Sequence, residues 1–479
     1  MAIDPTPLPE SAPSWFTPKR LLVFFCAINM INYIDRGAIS TNGVNGSPRT
    51  CSEINVCSDG SGIQGDFDLS NFKDGILASA FMVGLLIASP IFASLAKSIN
   101  PFRLIGVGLS VWTLATIGCG FSVDFWSITI CRMLVGVGEA SYIGLAAPLI
   151  VENAPVSQRT LWLGIFHISV PAGVAIGDVY GGLVGSGLGW RYAFFGEAIL
   201  MLPFAILGYV MKPLQMKGMS NAKIIPWFLN EEFSKKDYSY VSYTLNQLSR
   251  FGQDMKALLS EKVYVVNVLG YIVYNFVFGV YSYWGLKVGY NIYQVDNIDL
   301  LFGGIISVGG IVGTIGGSLI LDRINSTIPN AFKLLSIAIF FGAIFCFSAF
   351  CFSNIYVFLV LILIGEILVD ASQGPVNLVC LNSVKPSLRP LAMAISTVSI
   401  HIFGDVPSPP LFGILQDKVD NWRTSILIST SILFLAAGIW FIGIFLHSVD
   451  RYEEDSEQPD MSHLLESEVA NGDITSALL

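Results

Sequence analysis

Apolar residues run along this chain in twelve long blocks separated by short polar segments. The blocks begin near Leu21, Phe72, Phe102, Phe125, Leu161, Tyr192, Val263, Leu300, Ala331, Ile355, Leu391 and Thr424. A helix crosses the ~30 Å hydrocarbon layer of a bilayer in about 20 residues, and each block meets that length. The first is not a cleavable signal peptide, because it holds Asn29, Asn32, Asp35 and Arg36 and lacks a small-residue cleavage site. The pattern predicts an all-α membrane protein with 12 transmembrane helices in two six-helix halves. Its parts are an N-terminal segment 1–20, a half 21–211, a linker 212–262, a second half 263–447 and an acidic tail 448–479.

Composition agrees with the pattern. The chain is 53% apolar and only 13% charged, about half the ~25% charge of soluble domains. That excludes soluble enzymes, secreted disulfide mini-domains and disordered scaffolds. The net charge of −9 resides in the tail, whose nine acids and one arginine sum to −8 and leave −1 elsewhere. No surface for nucleic acid is expected. With a cytoplasmic N-terminus, 18 of the 26 basic residues fall on the cytoplasmic side and six on the other. Lys and Arg concentrate on that side in most membrane proteins, so both termini are expected there. Arg36 and Arg132 are left at membrane depth.

On the far side, the Gly- and Ser-rich loop 42–71 contains Cys51 and Cys57, which form either a local disulfide or two free thiols. The other six cysteines have no metal-ligand spacing and read as packing residues. No metal and no cofactor are expected.

The chain also repeats itself. A shift of 227 residues superposes Gly138-Glu139 on Gly365-Glu366, Pro148 on Pro375 and Gly177-Asp178 on Gly404-Asp405, and Trp190-Arg191 recurs as Trp422-Arg423. Repeated halves of this kind hold a site between them near the midplane and work by rocking.

Gly313, Gly317, Asp322 and Arg323, between spans eight and nine, resemble the inter-helix signature of the major facilitator superfamily. The first half departs from it, with Ser-Leu-Ala-Lys ending at Lys97 where an acid belongs. Asn32-Tyr33-Ile34-Asp35-Arg36, Arg132 with Gly136 through Tyr142, Pro171, Gly173 and Trp190-Arg191 resemble the spinster-like lipid transporters. That resemblance implies a monomeric secondary transporter of sphingolipids or lysophospholipids. It further implies that the matching Asp, Arg and Glu drive transport, and that Gly317, Asp322 and Arg323 form a conformational latch.

A charge at bilayer depth costs from about 3 kcal/mol upward unless it meets a partner or a cavity. Helical rise puts Asp35 and Arg132 at nearly the same height, so an ion pair between them is sterically reasonable. Glu139 lies two turns beyond Arg132 on the same face. Asp35 and Glu139 are the candidate proton carriers, and Arg132, Arg36 and Tyr142 the candidate substrate contacts. The competing reading of the charges is a structural ion pair that fixes helix packing. Since Asp35 and Arg36 point about 100° apart, only one of them is expected to face the cavity.

Glu366 with Asp370 and His401 with Asp405, each pair one turn apart, are secondary candidates, either as relay or as packing. His167 and Glu197 read as packing or interface residues. Tyr142, Tyr271, Tyr274, Trp284 and Phe302 are candidate cavity linings. Glycines 173, 177, 181 and 185 on span five and 309, 313 and 317 on span eight form small-residue stripes, expected to meet as a sliding seam.

In the tail, Asp460, Leu464 and Leu465 fit an acidic di-leucine sorting signal read by an adaptor, which favours late endosomal, lysosomal or vacuolar membranes over the plasma membrane. No Walker-type phosphate loop is present, so a proton gradient is the expected driving force. No HExxH or GxSxG is present either, so the chain is not expected to be an enzyme. The alternatives are a proton-coupled carrier of a small organic anion on the same fold, and a non-transporting receptor or scaffold.

Overall fold

The structure is a computed structural model that describes residues 17–51, 57–58, 60–96, 99–155, 158–210, 252–295, 298–385 and 388–446. Among these residues twelve helices are long and apolar enough to cross a membrane. Spans one to six are Pro18–Ser40, Asn71–Phe92, Pro101–Gly120, Phe125–Ile150, Trp162–Gly187 and Trp190–Val210. Spans seven to twelve are Lys262–Tyr293, Gly303–Arg323, Ile328–Cys351, Ile355–Asn382, Leu391–Val419 and Trp422–Gly443.

Polar residues at the block edges start the helices. Ser70 and Asn421 cap spans two and twelve, accepting from the backbone N–H of Lys73 and Thr424. Asp124 and Ser127 close a reciprocal capping box on span four. Pro18 and Pro101 occupy first-turn positions, where the missing N–H costs nothing.

The repeat is visible in the packing. Gly138 on span four lies against Gly108 and Trp112 of span three, and Gly365 on span ten lies against Cys346 of span nine. Gly177 abuts Ile34 of span one, and its counterpart Gly404 abuts Ile272 and Asn275 of span seven. The two Trp-Arg motifs do the same work. Arg191 donates to the carbonyl of Ser122, just past span three, and Arg423 to that of Cys351, ending span nine. In each half an arginine thus satisfies carbonyls at the C-terminal end of a helix, where the macrodipole favours a cation.

The expected seam is corrected by this packing. Spans five and eight do touch, with Gly303 against Asp178. The glycine stripes, however, face inward within their own halves. A Cβ on Gly177 would come within 2.3 Å of the Ile34 carbonyl, and one on Gly317 within 2.0 Å of the Ala371 carbonyl. These stripes therefore set the close approach of span five to span one and of span eight to span ten.

Span eleven contains one π-helical turn, His401–Asp405, closed by the Val406 N–H bonding to the His401 carbonyl at 3.0 Å. In the loop after span one, the antiparallel strands Thr50–Cys51 and Cys57–Ser58 place Cys51 opposite Cys57 in register. The side chains of those cysteines lie outside the described residues. So do Lys97, most of the linker, and the tail with Asp460, Leu464 and Leu465.

Candidate functional site

Two ion pairs join span one to span four. Arg132 donates through one guanidinium nitrogen to both oxygens of Asp35, at 2.7 and 2.9 Å. Arg36 donates to Glu139 at 2.6 Å. Asp35 and Arg36 are neighbours on span one, and both engage span four. The long guanidinium arm of Arg36 covers the angular offset, so the expectation that only one of the two turns inward is not met. Between the cations lies the ring of Phe81 on span two, 4.7 Å from the Arg36 guanidinium carbon and 5.4 Å from that of Arg132. Its negative face stabilises both.

In this conformation most of these charges are dry. Asp35 and Glu139 are fully buried and Arg132 is 2% exposed, whereas the Arg36 side chain is 21% exposed. Arg36 is the member of the set that reaches accessible space. On span eleven His401 and Asp405 are also partly exposed, joined Nδ1 to Oδ2 at 2.7 Å. Tyr33, one turn before Arg36 and stacked under its guanidinium at 4.6 Å, is within electrostatic reach of Asp405.

Tyr142 is placed elsewhere. It is fully buried, donates its hydroxyl to the Phe25 carbonyl, and packs on Phe25 and Phe166. In this conformation it ties span four to span one and is not open to a substrate. Trp284 is likewise buried and donates to the Pro409 carbonyl. Tyr271 and Tyr274 stack on one another, while the side chain of Phe302 lies outside the described residues. His167 points outward from span five.

In the second half, Asp370 accepts from the Tyr274 hydroxyl at 3.1 Å, and Gln373 donates to that hydroxyl at 3.0 Å. Glu366 and Asp370 are each under 10% exposed, and no basic side chain pairs with either among the described residues. Among the described residues Asp322 bonds locally, accepting from Ser326 at 3.1 Å, and both Asp322 and Arg323 are exposed.

Two features escape the sequence reading. Lys287 near the end of span seven is 1% exposed and is surrounded by first-half groups. It donates to Asn45 at 3.0 Å, to Asp74 at 3.2 Å and to Gln64. Tyr283, one turn earlier, donates to Asp74 at 2.8 Å. Asp417 of span eleven accepts from Asn71 and Phe72 at the start of span two. These bonds lock the halves together at the end that carries residues 41–70. A signal existed, since Lys287 is a lone cation in an apolar run. The second feature is the setting of Glu197 on span six, which the sequence offers only as a packing or interface residue and which lies fully buried beside Asp35 and Arg132. A cavity of about 630 Å³ lies at the locked end, lined by Asn42, Ser61, Asp178, Ser186 and Tyr290 among others, and shares no residue with the two ion pairs.

With this geometry in view, the relationships are clear. Residues 60–404 match the Major Facilitator Superfamily. The chain is 62% identical to an Arabidopsis thaliana protein named "Probable sphingolipid transporter spinster homolog 2", over 94% of this chain and 92% of that one. It belongs to the spinster branch of the major facilitator superfamily. It is also 54% identical to the Arabidopsis thaliana protein named spinster homolog 1 of the same kind, over 97% and 98% of the two chains. Among solved structures, a bacterial homolog of the human lysosomal transporter Spinster, inward-facing and unoccupied, superposes with a TM-score of 0.74 at 16% identity. That superposition covers 92% of this chain and 100% of the other, and shows a common fold. The protein is a membrane transporter and not an enzyme.

Proposed function

We propose that this spinster-family transporter moves an amphipathic lipid of the sphingolipid or lysophospholipid class by alternating access, driven by protons. The observation that carries the reading is the pair of buried ion pairs between spans one and four, of which Arg36 is the one member that reaches accessible space. Buried ion pairs contribute little net stability compared with apolar packing, so two of them on one helix face are better explained by a working cycle. An anionic headgroup competing for Arg36 would free Glu139 to take a proton, and departure of that headgroup would restore the pair. The lipid class is supported by the names of the relatives at 54–62% identity.

The bonds that cross between the halves cluster at the end bearing residues 41–70. If the termini are cytoplasmic, as the placement of Lys and Arg favours, this conformation is closed on the far side and poised toward the cytoplasm. We place the protein in late endosomal, lysosomal or vacuolar membranes, working as a monomer, with the tail motif Asp460, Leu464 and Leu465 read by a sorting adaptor.

The test is lipid flux into proteoliposomes with and without an imposed pH gradient. A sphingoid base phosphate and a lysophosphatidylcholine would be compared with a dicarboxylate. Gradient-stimulated flux of either lipid, with none of the dicarboxylate, is expected. Dicarboxylate flux without lipid flux would replace the lipid by a small organic anion.

A further inference from the structure

The interior of the first half holds more acids than bases. Asp35, Glu139 and Glu197 are all fully buried, against two cations, Arg36 and Arg132. Each cation already has an acid, Arg132 with Asp35 and Arg36 with Glu139. Glu197 is left over. Both of its carboxyl oxygens lack any hydrogen-bond donor from another group, and the Nε of Arg132 is also unpartnered, so Arg132 does not turn toward it. The Glu197 carboxyl instead stands within hydrogen-bonding reach of the Asp35 carboxyl.

Two carboxyl groups meet in a dry interior only if a proton lies between them. A second bare carboxylate there would repel the first and would have no water to solvate it. The other ionisable neighbours supply no cation. Tyr180 on span five faces Glu197 but donates its hydroxyl to the Ala193 carbonyl, and Cys119 on span three stands beside Arg132. We infer that Glu197 is a proton-holding residue of the first half: its carboxyl is neutral in this conformation and donates its proton to Asp35. When Arg132 leaves Asp35 during the cycle, the shared proton has a reason to move fully onto Asp35. When Arg132 turns to Glu197, the proton has a reason to leave. Glu197 thereby becomes a coupling group that does not touch the substrate. Its role in transport rests on the proton-driven reading above, while its protonation does not.

Infrared spectroscopy of the reconstituted protein tests the protonation directly. In the difference spectrum of wild type minus Glu197→Gln, the isosteric mimic of the neutral acid, a C=O stretching band of a buried carboxylic acid is expected at neutral pH for wild type and not for the variant, with Glu366 and Asp370 cancelling because both chains keep them. Asp35→Asn is expected to lose it too, because Arg132 would then have only Glu197 as a partner and would ionise it. Persistence of the band in both variants, or its absence from wild type, overturns the inference. In flux assays, lipid accumulation driven by a pH gradient is expected to fall at least tenfold in Glu197→Gln. A wild type indifferent to the gradient would defeat proton coupling and leave the infrared result standing. A coupled wild type with an equally coupled Glu197→Gln would defeat the assigned role of Glu197.

Discussion

Glu139 and Glu366 occupy matching places in the two halves, each following a glycine that lets its helix approach a neighbour closely. Their surroundings differ. Glu139 faces Arg36 in a half that holds two guanidinium groups at membrane depth, whereas Glu366 sits one turn from Asp370 in a half where tyrosine and glutamine do the hydrogen bonding. The repeat conserved the backbone contact and let the charge diverge. The first half pairs each of its buried guanidinium groups with a carboxylate, Arg132 with Asp35 and Arg36 with Glu139, and in the proposed cycle these carboxylates are the groups that exchange protons. The second keeps Glu366 and Asp370 without a basic partner among the described residues, and in the proposed cycle these acids receive their partner from outside.

The hardest blow to this contrast is Arg132→Ala. It strands Asp35 and Glu197 together in dry packing, and removing one partner of a buried pair costs about 3–5 kcal/mol. Flux is expected to vanish and the thermal midpoint to fall. Proteoliposome flux beside thermal unfolding checks both, and an active, stable variant would mean that the charges of the first half are not a working unit.

Next in size is Lys287→Met. It leaves Asp74 buried without its cation, and opening the locked end relieves that cost. A shift of about 1–3 kcal/mol in the opening equilibrium, ranging from several-fold to more than a hundredfold, is expected. Spin labels at the exposed positions Val123 and Ser353, beside the ends of spans three and nine, read it as a longer distance. Restoring neutrality with Asp74→Asn in the same chain should return part of the short-distance population. An unchanged distance in both would show that this cluster is packing and not a lock.

The contrast is sharpened by comparing Glu139→Gln with Glu366→Gln. The first is expected to abolish the response of flux to a pH gradient. The second should preserve that response and raise KM about ten- to a hundredfold, the size of one lost hydrogen bond to a charged group, about 1.5–3 kcal/mol. Equal loss of the pH response in both would erase the division of labour.

How much of this was legible follows from what each signal requires. The spans could be read because twenty apolar residues in a row have few other uses, and the ends of the blocks fall within a few residues of the helices. The Asp35–Arg132 contact could be read because both lie on helices of known rise. Lys287 and Glu197 could not be placed, since their meaning depends on which helices from distant sequence close around them. Lys287 near the end of a span looks like an interfacial lysine until Asn45, Gln64 and Asp74 are seen to enclose it. Tyr142 looked like a substrate contact because it follows Glu139 in the same motif. One helical turn carries it onto the Phe25 carbonyl instead. The glycine stripes were seen and their partners mistaken, because a stripe says that a backbone comes close and not which one.

That last point gives the smallest prediction. Gly316 lies beside the stripe on span eight, and a Cβ there would meet nothing within 4 Å, whereas on Gly313 it would come within 2.5 Å of the Ile367 carbonyl. If the stripe serves span ten alone, Gly316→Ala adds helix propensity without a clash. The gain is about 0.5–1 kcal/mol, a rise in the thermal midpoint on the order of 1–2 °C. Flux should be unchanged, because no helix slides over that face. A loss of flux in Gly316→Ala at normal stability would put span eight back into a sliding seam, with its moving surface one residue away from the glycines that look built for it.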